Sequence, residues 1–151
     1  YLRFGRAAVP VINERDDYKF EIGKGVLLKE GTDVSIIASG ICVDSALKAA
    51  ELLAADGILA DVINIHTIKP LDEEIVLATA KKTGKVFVAE EHSVIGGLGS
   101  AVCDLLSEKA PTKVVKIGMN DKFGESASAG ELVKKYGLDG EGIYKTIKAN
   151  L

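Results

Sequence analysis

At 151 residues the chain has the length of one globular domain, and its 47% hydrophobic and 27% charged content excludes a disordered, collagen-like or disulfide-scaffold protein. The 19 basic and 22 acidic residues give a formal net charge of −3 with no long run of one sign, so no basic stripe is available for nucleic acid. No apolar run is long enough to cross a bilayer and no secretory signal pattern is present, which reads as a soluble, cytoplasmic protein with no membrane or nucleic-acid partner.

The opening Tyr1-Leu2-Arg3-Phe4 is apolar and strand-like and lacks an initiator methionine, which reads as a fragment or an excised domain. Residues 5–22 read as an irregular linker crossing the surface, with Pro10 and the charged cluster Glu14-Arg15-Asp16-Asp17. The domain proper is expected over 23–151, after a linker at 1–22. Its first strand lies at about Gly25–Leu28. Only Lys29 to Asp33 separate it from the next strand, too short for a crossover helix, so it is expected to enter antiparallel as a hairpin.

Four β-branched runs follow: Val34–Ala38, Asp61–Ile65, Val86–Ala89 and Val114–Ile117. They recur about every 25 residues with helical patterns between them, the spacing of β-α units joined by right-handed crossovers. The expected fold class is therefore α/β: three α/β/α layers around a five-stranded mixed sheet with one antiparallel strand.

The first helical stripe carries Val43, Ala46, Leu47, Ala50, Leu53 and Ala54, with Gly57 as a left-handed C-cap. The second helix starts at Asp72, with Leu71 and Val76 spaced as a hydrophobic staple, acids in its first turn and Lys81 and Lys82 in its last. The third runs from about Leu98 until Pro111 stops it. Beyond a loop at Gly118–Ala127, Ser128 and Glu131 form a capping box that opens a short helix closed by Gly137. Asp139 caps a last helix, stapled by Leu138 and Ile143 and burying Ile143, Tyr144 and Ile147. Cys42 and Cys103, each in an apolar helical pattern without CxxC spacing, read as buried thiols in a reducing compartment.

The most site-like segment is Glu90 to Ser100, which leaves a strand and enters a glycine-rich helix start of the kind that binds anions. Dinucleotide binding needs G-x-G-x-x-G, but Val102 stands at the third position and no acid ends the next strand. Gly96, Gly97 and Gly99 are better explained by close packing of this helix on the sheet or on a neighbouring domain. Glu90, Glu91 and His92 suit either general acid–base work or a polar contact at a domain boundary; a metal corner lacks a further ligand at the right spacing. His66 ends a strand, while Pro70 shapes the following turn and Asp72 caps the next helix. No G-x-S-x-G elbow and no phosphate-cradling GxxxxGK[ST] occurs.

Several of these segments together resemble the C-terminal domain of the transketolase family. Tyr1 to Arg6 is similar to the end of the family's pyrimidine-binding domain, His66 to Asp72 to its KPLD turn, Glu90 to Ser100 to its EE…GGLGSAV helix start, and Phe123-Gly124-Glu125-Ser126-Ala127 to its FGESA segment. The resemblance covers essentially the whole chain. Its wording is closest to transketolases encoded as two polypeptides, with this chain as the C-terminal portion of the second.

The resemblance implies a thiamine diphosphate enzyme of the pentose phosphate pathway that moves two-carbon ketol units between sugar phosphates, a dimer or other homo-oligomer with active sites between two chains. In the family the diphosphate and its Mg ion sit on the N-terminal domain, and the aminopyrimidine ring with its activating glutamate on the middle domain. The partners implied are those domains or a subunit carrying them. No catalytic, cofactor-binding or metal-binding residue is expected in this chain, which alone is expected to be inactive while contributing assembly surface. One substrate contact carries over: Arg3 falls where the family places an arginine that binds the sugar's terminal phosphate, a dianion that suits a guanidinium fork. Two other readings stay open. One is the matching domain of 1-deoxyxylulose-5-phosphate synthase or of a 2-oxo acid dehydrogenase β subunit, against which the FGESA segment argues. The other is a stand-alone small-ligand or regulatory module using the crevice at the strand ends.

Overall fold

The computed structural model describes residues 1–5, 8–13 and 18–151; Arg6 and the Glu14–Asp17 cluster lie outside the described residues. In chain order the elements are β1 (Val26–Lys29), β2 (Val34–Ala38), α1 (Cys42–Ala55), β3 (Ala60–Asn64), α2 (Glu73–Thr83), β4 (Val86–Ser93), α3 (Leu98–Lys109), β5 (Val114–Met119), α4 (Ala129–Lys135) and α5 (Gly140–Lys148). The five strands form one sheet in the order β1-β3-β2-β4-β5, with β1 antiparallel to β3 and the other pairings parallel.

Strand periodicity divides the core into two layers. Val34, Ile36, Ala38, Ala60, Val62, Phe87 and Ala89 face α1, with Ile143 and Ile147 of α5 closing the same cluster. Ile37, Ile63, Val86 and Val88 face the other way, onto Val76 and Ala80 of α2 and Leu98, Val102 and Leu106 of α3. The buried face of α1 is Cys42, Val43, Ser45, Ala46, Ala49, Ala50 and Leu53, with Leu47 and Ala54 at its margin. Cys103 is half-buried on α3 rather than buried like Cys42, because the 100° step per residue takes it off the stripe of Leu98, Val102, Leu105 and Leu106.

Local chemistry sets most helix ends. Asp72 accepts from the Ile75 amide at 3.3 Å, and Asp139 from the Gly142 amide at 2.9 Å. Ser128 and Glu131 complete the reciprocal capping box. At the end of α1 the chain turns through Gly57 at φ +78°, with the Ile58 amide returning to the Leu53 carbonyl.

Two expectations need correction. The first strand is antiparallel, but it does not pair with β2 as a hairpin: it lies on the far side of β3, with Val26 opposite Asn64 and Leu27 opposite Ile63. Both edges of the fully buried β2 are taken by β3 and β4. The link need only cross two strand spacings, about 10 Å, within reach of four or five extended residues. It passes under the start of β3, where the Asp33 amide donates to the Leu59 carbonyl at 2.8 Å and the Gly31 amide to Asp61 Oδ1 at 2.8 Å. A side chain at Gly31 would run into the Ala60 backbone, so the close approach requires glycine.

The second correction concerns β4, expected to end at Ala89. It continues to Ser93, with an irregularity against β5 between Ala89 and Ser93. Glu90, Glu91 and His92 therefore project from a strand end and not from a free loop.

Candidate functional site at the strand ends

The connections from β2 and β4 leave in opposite directions, β2 through α1 to β3 and β4 through α3 to β5. Such a reversal opens a crevice at the carboxyl ends of the two strands, the usual ligand position in open α/β sheets. Here the crevice is bounded by Ser39 and Gly40 after β2 and by Glu90 to Ser93 of β4.

Glu90, Glu91 and His92 of β4 have separate tasks. Glu90 points inward and is 1% exposed. Its carboxylate accepts from the Leu98 amide at 3.0 Å and the Gly99 amide at 2.9 Å, so it caps α3 from the preceding strand. Gly97 and Gly99 make room for it, because a Cβ at Gly97 would fall inside the carboxylate and one at Gly99 would lie 3.4 Å from Glu90 Oε1. The close-packing explanation holds for Gly97 and Gly99, which pack against the Glu90 carboxylate and the Lys116 stem, but not for Gly96, which stands in open space at φ +77° and serves the left-handed turn. Glu90 is thereby committed to the helix, with both oxygens engaged, and is not placed for acid–base work.

Glu91 and His92 are half-exposed at this end of the sheet. Glu91 Oε1 lies 3.7 Å from His92 Nε2 and 4.0 Å from where a Cβ on Gly40 would stand. Gly40, at φ +58°, takes the left-handed turn that carries the chain from β2 into α1. Arg3 reaches this point from the segment before β1: its Nη1 lies 2.8 Å from His92 Nε2 and 3.2 Å from Nδ1. The structure thus brings together Arg3, Glu91 and His92, residues as much as 89 positions apart. Nothing local in the sequence signals that meeting.

His66 stands apart from this group. Its Nδ1 is 3.0 Å from Thr67 Oγ1, its ring lies 4.7 Å from that of Phe20, and burial lowers its pKa below the ordinary value. The turn that follows contains a cis Lys69–Pro70 bond. Cys42, at the start of α1, is deeply buried; desolvation, with help from the negative charges of Glu91 and Glu90, pushes its thiol pKa up to about 12. It is not a nucleophile. In the FGESA segment Phe123 is fully exposed, and Glu125 is ion-paired to Lys135 of α4 at 2.5 Å.

The crevice does not fit thiamine diphosphate or its metal. The first amides of α3, the one glycine-rich helix start at the strand ends, are turned onto Glu90 and not outward. Among the described residues no group of three or more His, Cys, Asp or Glu is gathered to hold a metal ion.

Comparison with known proteins agrees with this architecture. Residues 23–143 match the family model of the transketolase C-terminal domain. The 6-deoxy-6-sulfo-D-fructose transketolase subunit of Clostridium sp. strain MSTE9 is 49% identical over 93% of this chain and 43% of its own length. A solved split-gene transketolase, described as an inactive β4 tetramer, superposes with a TM-score of 0.90 at 48% identity, covering 96% of this chain and 47% of that one. A 1-deoxy-D-xylulose-5-phosphate synthase of Geobacter sulfurreducens is 42% identical over 99% of this chain and 24% of its own length. The chain spans less than half the length of each of these proteins.

Proposed function

Because this chain belongs to the transketolase C-terminal domain family, we propose that it is the C-terminal part of one subunit of a split transketolase that transfers two-carbon ketol units between sugar phosphates. The observation that carries this reading is the match, over 93% and 96% of the chain, to two proteins that are themselves parts of divided transketolases. A 1-deoxy-D-xylulose-5-phosphate synthase is also similar over 99% of the chain; the FGESA segment, Phe123 to Ala127, is the sequence feature that favours the transketolase side.

On this reading thiamine diphosphate and Mg are held by the N-terminal and middle domains, or by the subunit that carries them, and supply the carbanion chemistry there. The part of this chain is twofold. The strand-end surface from Glu90 to Gly99, with Ile95 exposed, packs against the cofactor-binding part in a homo-oligomeric assembly. Arg3, standing at the mouth of the crevice, binds the terminal phosphate of the sugar through its guanidinium fork.

Two measurements test the proposal. Calorimetry of this chain with thiamine diphosphate and magnesium should give no heat of specific binding, while the enzyme assembled with its missing domains should bind and turn over. Micromolar binding with one site per isolated chain would overturn it. In the assembled enzyme Arg3→Ala should raise KM for a phosphorylated sugar by about 10- to 100-fold, the loss of a charge-assisted contact, and Arg3→Lys should recover only part of it.

A further inference from the structure

We infer that His92 is a positioning residue for Arg3: its imidazole holds one arm of the guanidinium so that the other edge faces the sugar's terminal phosphate. The inference rests on the phosphate-binding reading of Arg3 and goes beyond it in naming what aims that side chain. The supporting geometry is the contact of Arg3 Nη1 with the His92 ring, 2.8 Å from Nε2 and 3.2 Å from Nδ1.

The two ring nitrogens flank one carbon, so an atom at nearly equal distance from both lies over the face of the imidazole and on neither lone pair; the guanidinium stacks on the ring as a cation–π contact. Stacking at Nη1 leaves the Nε–Nη2 edge, whose two parallel N–H bonds match two oxygens of a phosphate. Among the described residues that edge has no hydrogen-bond partner.

Restraint matters because Arg3 is exposed on a segment outside the sheet, where a long side chain loses much rotamer freedom when it binds a ligand. The backbone of His92 is held. The residue projects from the end of β4, where Gly118 of β5 packs so closely that a Cβ there would lie 2.8 Å from the His92 carbonyl oxygen. Glu91, with Oε1 3.7 Å from Nε2, adds negative charge beside the junction. The phosphate contact would then be pre-aimed by the rigid sheet and not by the segment that carries it.

The test uses the complete enzyme, this chain in its full subunit with the cofactor-binding part, and fructose 6-phosphate and fructose as paired probes. His92→Ala removes the ring and should raise KM for fructose 6-phosphate by about two- to fivefold, one exposed cation–π contact, with kcat and the response to fructose within about twofold. His92→Phe, which restores a ring face, should recover most of that loss. In an Arg3→Ala background His92→Ala should add nothing. If Arg3→Ala shows no preference for the phosphorylated probe, the reading of Arg3 fails. If Arg3→Ala is selective while His92→Ala is silent, or its effect persists without Arg3, this inference alone is overturned. Should a variant fail to assemble, nitrogen NMR of the His92 ring in the isolated chain decides: the Nε2 resonance should move on Arg3→Ala, and identical spectra overturn the inference.

Discussion

The carboxylate of Glu90 occupies the space that any side chain on Gly97 would need: a Cβ there would lie 2.7 Å from Glu90 Cδ. The two residues are one device. The strand supplies the charge, the helix start supplies the amides of Leu98 and Gly99, and the missing side chain at position 97 lets them meet. A buried carboxylate is costly unless such donors satisfy it.

Gly97→Ala should therefore destabilise the domain by about 1–3 kcal/mol through overpacking, and Glu90→Gln by about 1.5–3 kcal/mol through loss of the charge-assisted contacts. Gly97 has φ −96°, so backbone strain plays no part. Urea denaturation measures both. In a Glu90→Ala background Gly97→Ala should cost markedly less, because the clash is gone; strictly additive losses would show that the two residues do not interact.

The opposite end of the sheet should govern acid stability. Burial pushes the Asp61 carboxyl up, but hydrogen bonds from Lys82 at 2.9 Å, Thr79 at 2.7 Å and the Gly31 amide at 2.8 Å outweigh it and hold the pKa below the ordinary 3.8. A carboxylate whose folded pKa is depressed stabilises the fold fully above its unfolded value, and that contribution is lost as pH falls below 3.8 toward the folded value. Asp61→Asn should lower stability at neutral pH by about 1–3 kcal/mol and flatten the acid limb of the stability curve. An unchanged acid limb would exclude Asp61 as its source.

Thiol chemistry gives an independent probe of packing. With its pKa near 12 and its side chain buried, Cys42 should not react with an aromatic disulfide reagent at pH 8 in the native chain, and should react fully in urea. Mass mapping of the modified cysteine separates it from the half-buried Cys103. Modification of native Cys42 within minutes would show that the start of α1 opens readily.

Assembly should depend on the exposed apolar residue between β4 and α3. Ile95→Asp is expected to weaken association with the cofactor-binding part by about tenfold or more, as removal of a central apolar contact does, while leaving the melting temperature of the isolated chain within about two degrees. Titration of the partner and a thermal melt, run on the same variant, distinguish the two effects. Equal loss in both would assign Ile95 to the fold.

Helix ends were legible because their signals are local: Asp72, Ser128 with Glu131, and Asp139 each act on an amide three residues ahead. The sheet class was legible from the spacing of the strands. The partner of β1 was not, because pairing is decided by a third strand that the sequence has yet to reach, and a short link is compatible with either neighbour. Glu90 was misread for a similar reason: α3 has no capping side chain at its own N-cap, Gly97, and takes its acceptor from eight residues upstream. The glycines at 97 and 99 were the available clue, since small residues around a helix start announce a close companion without saying which. The meeting of Arg3 with His92 left no sequence trace, as no periodicity connects residue 3 to the end of β4.

The position of α5 bears on how the molecule is made. One side of the sheet is covered by α2 and α3, both complete before β5 emerges during synthesis. The other side needs Leu138, Ile143 and Ile147, which arrive only with α5 and the turn before it. Until then the nascent chain carries an uncovered apolar strip beside α1, a natural site for a chaperone to grip and for a protease to probe. Translation stalled within α4 should accordingly leave a product with one side of its sheet settled and the other adhesive.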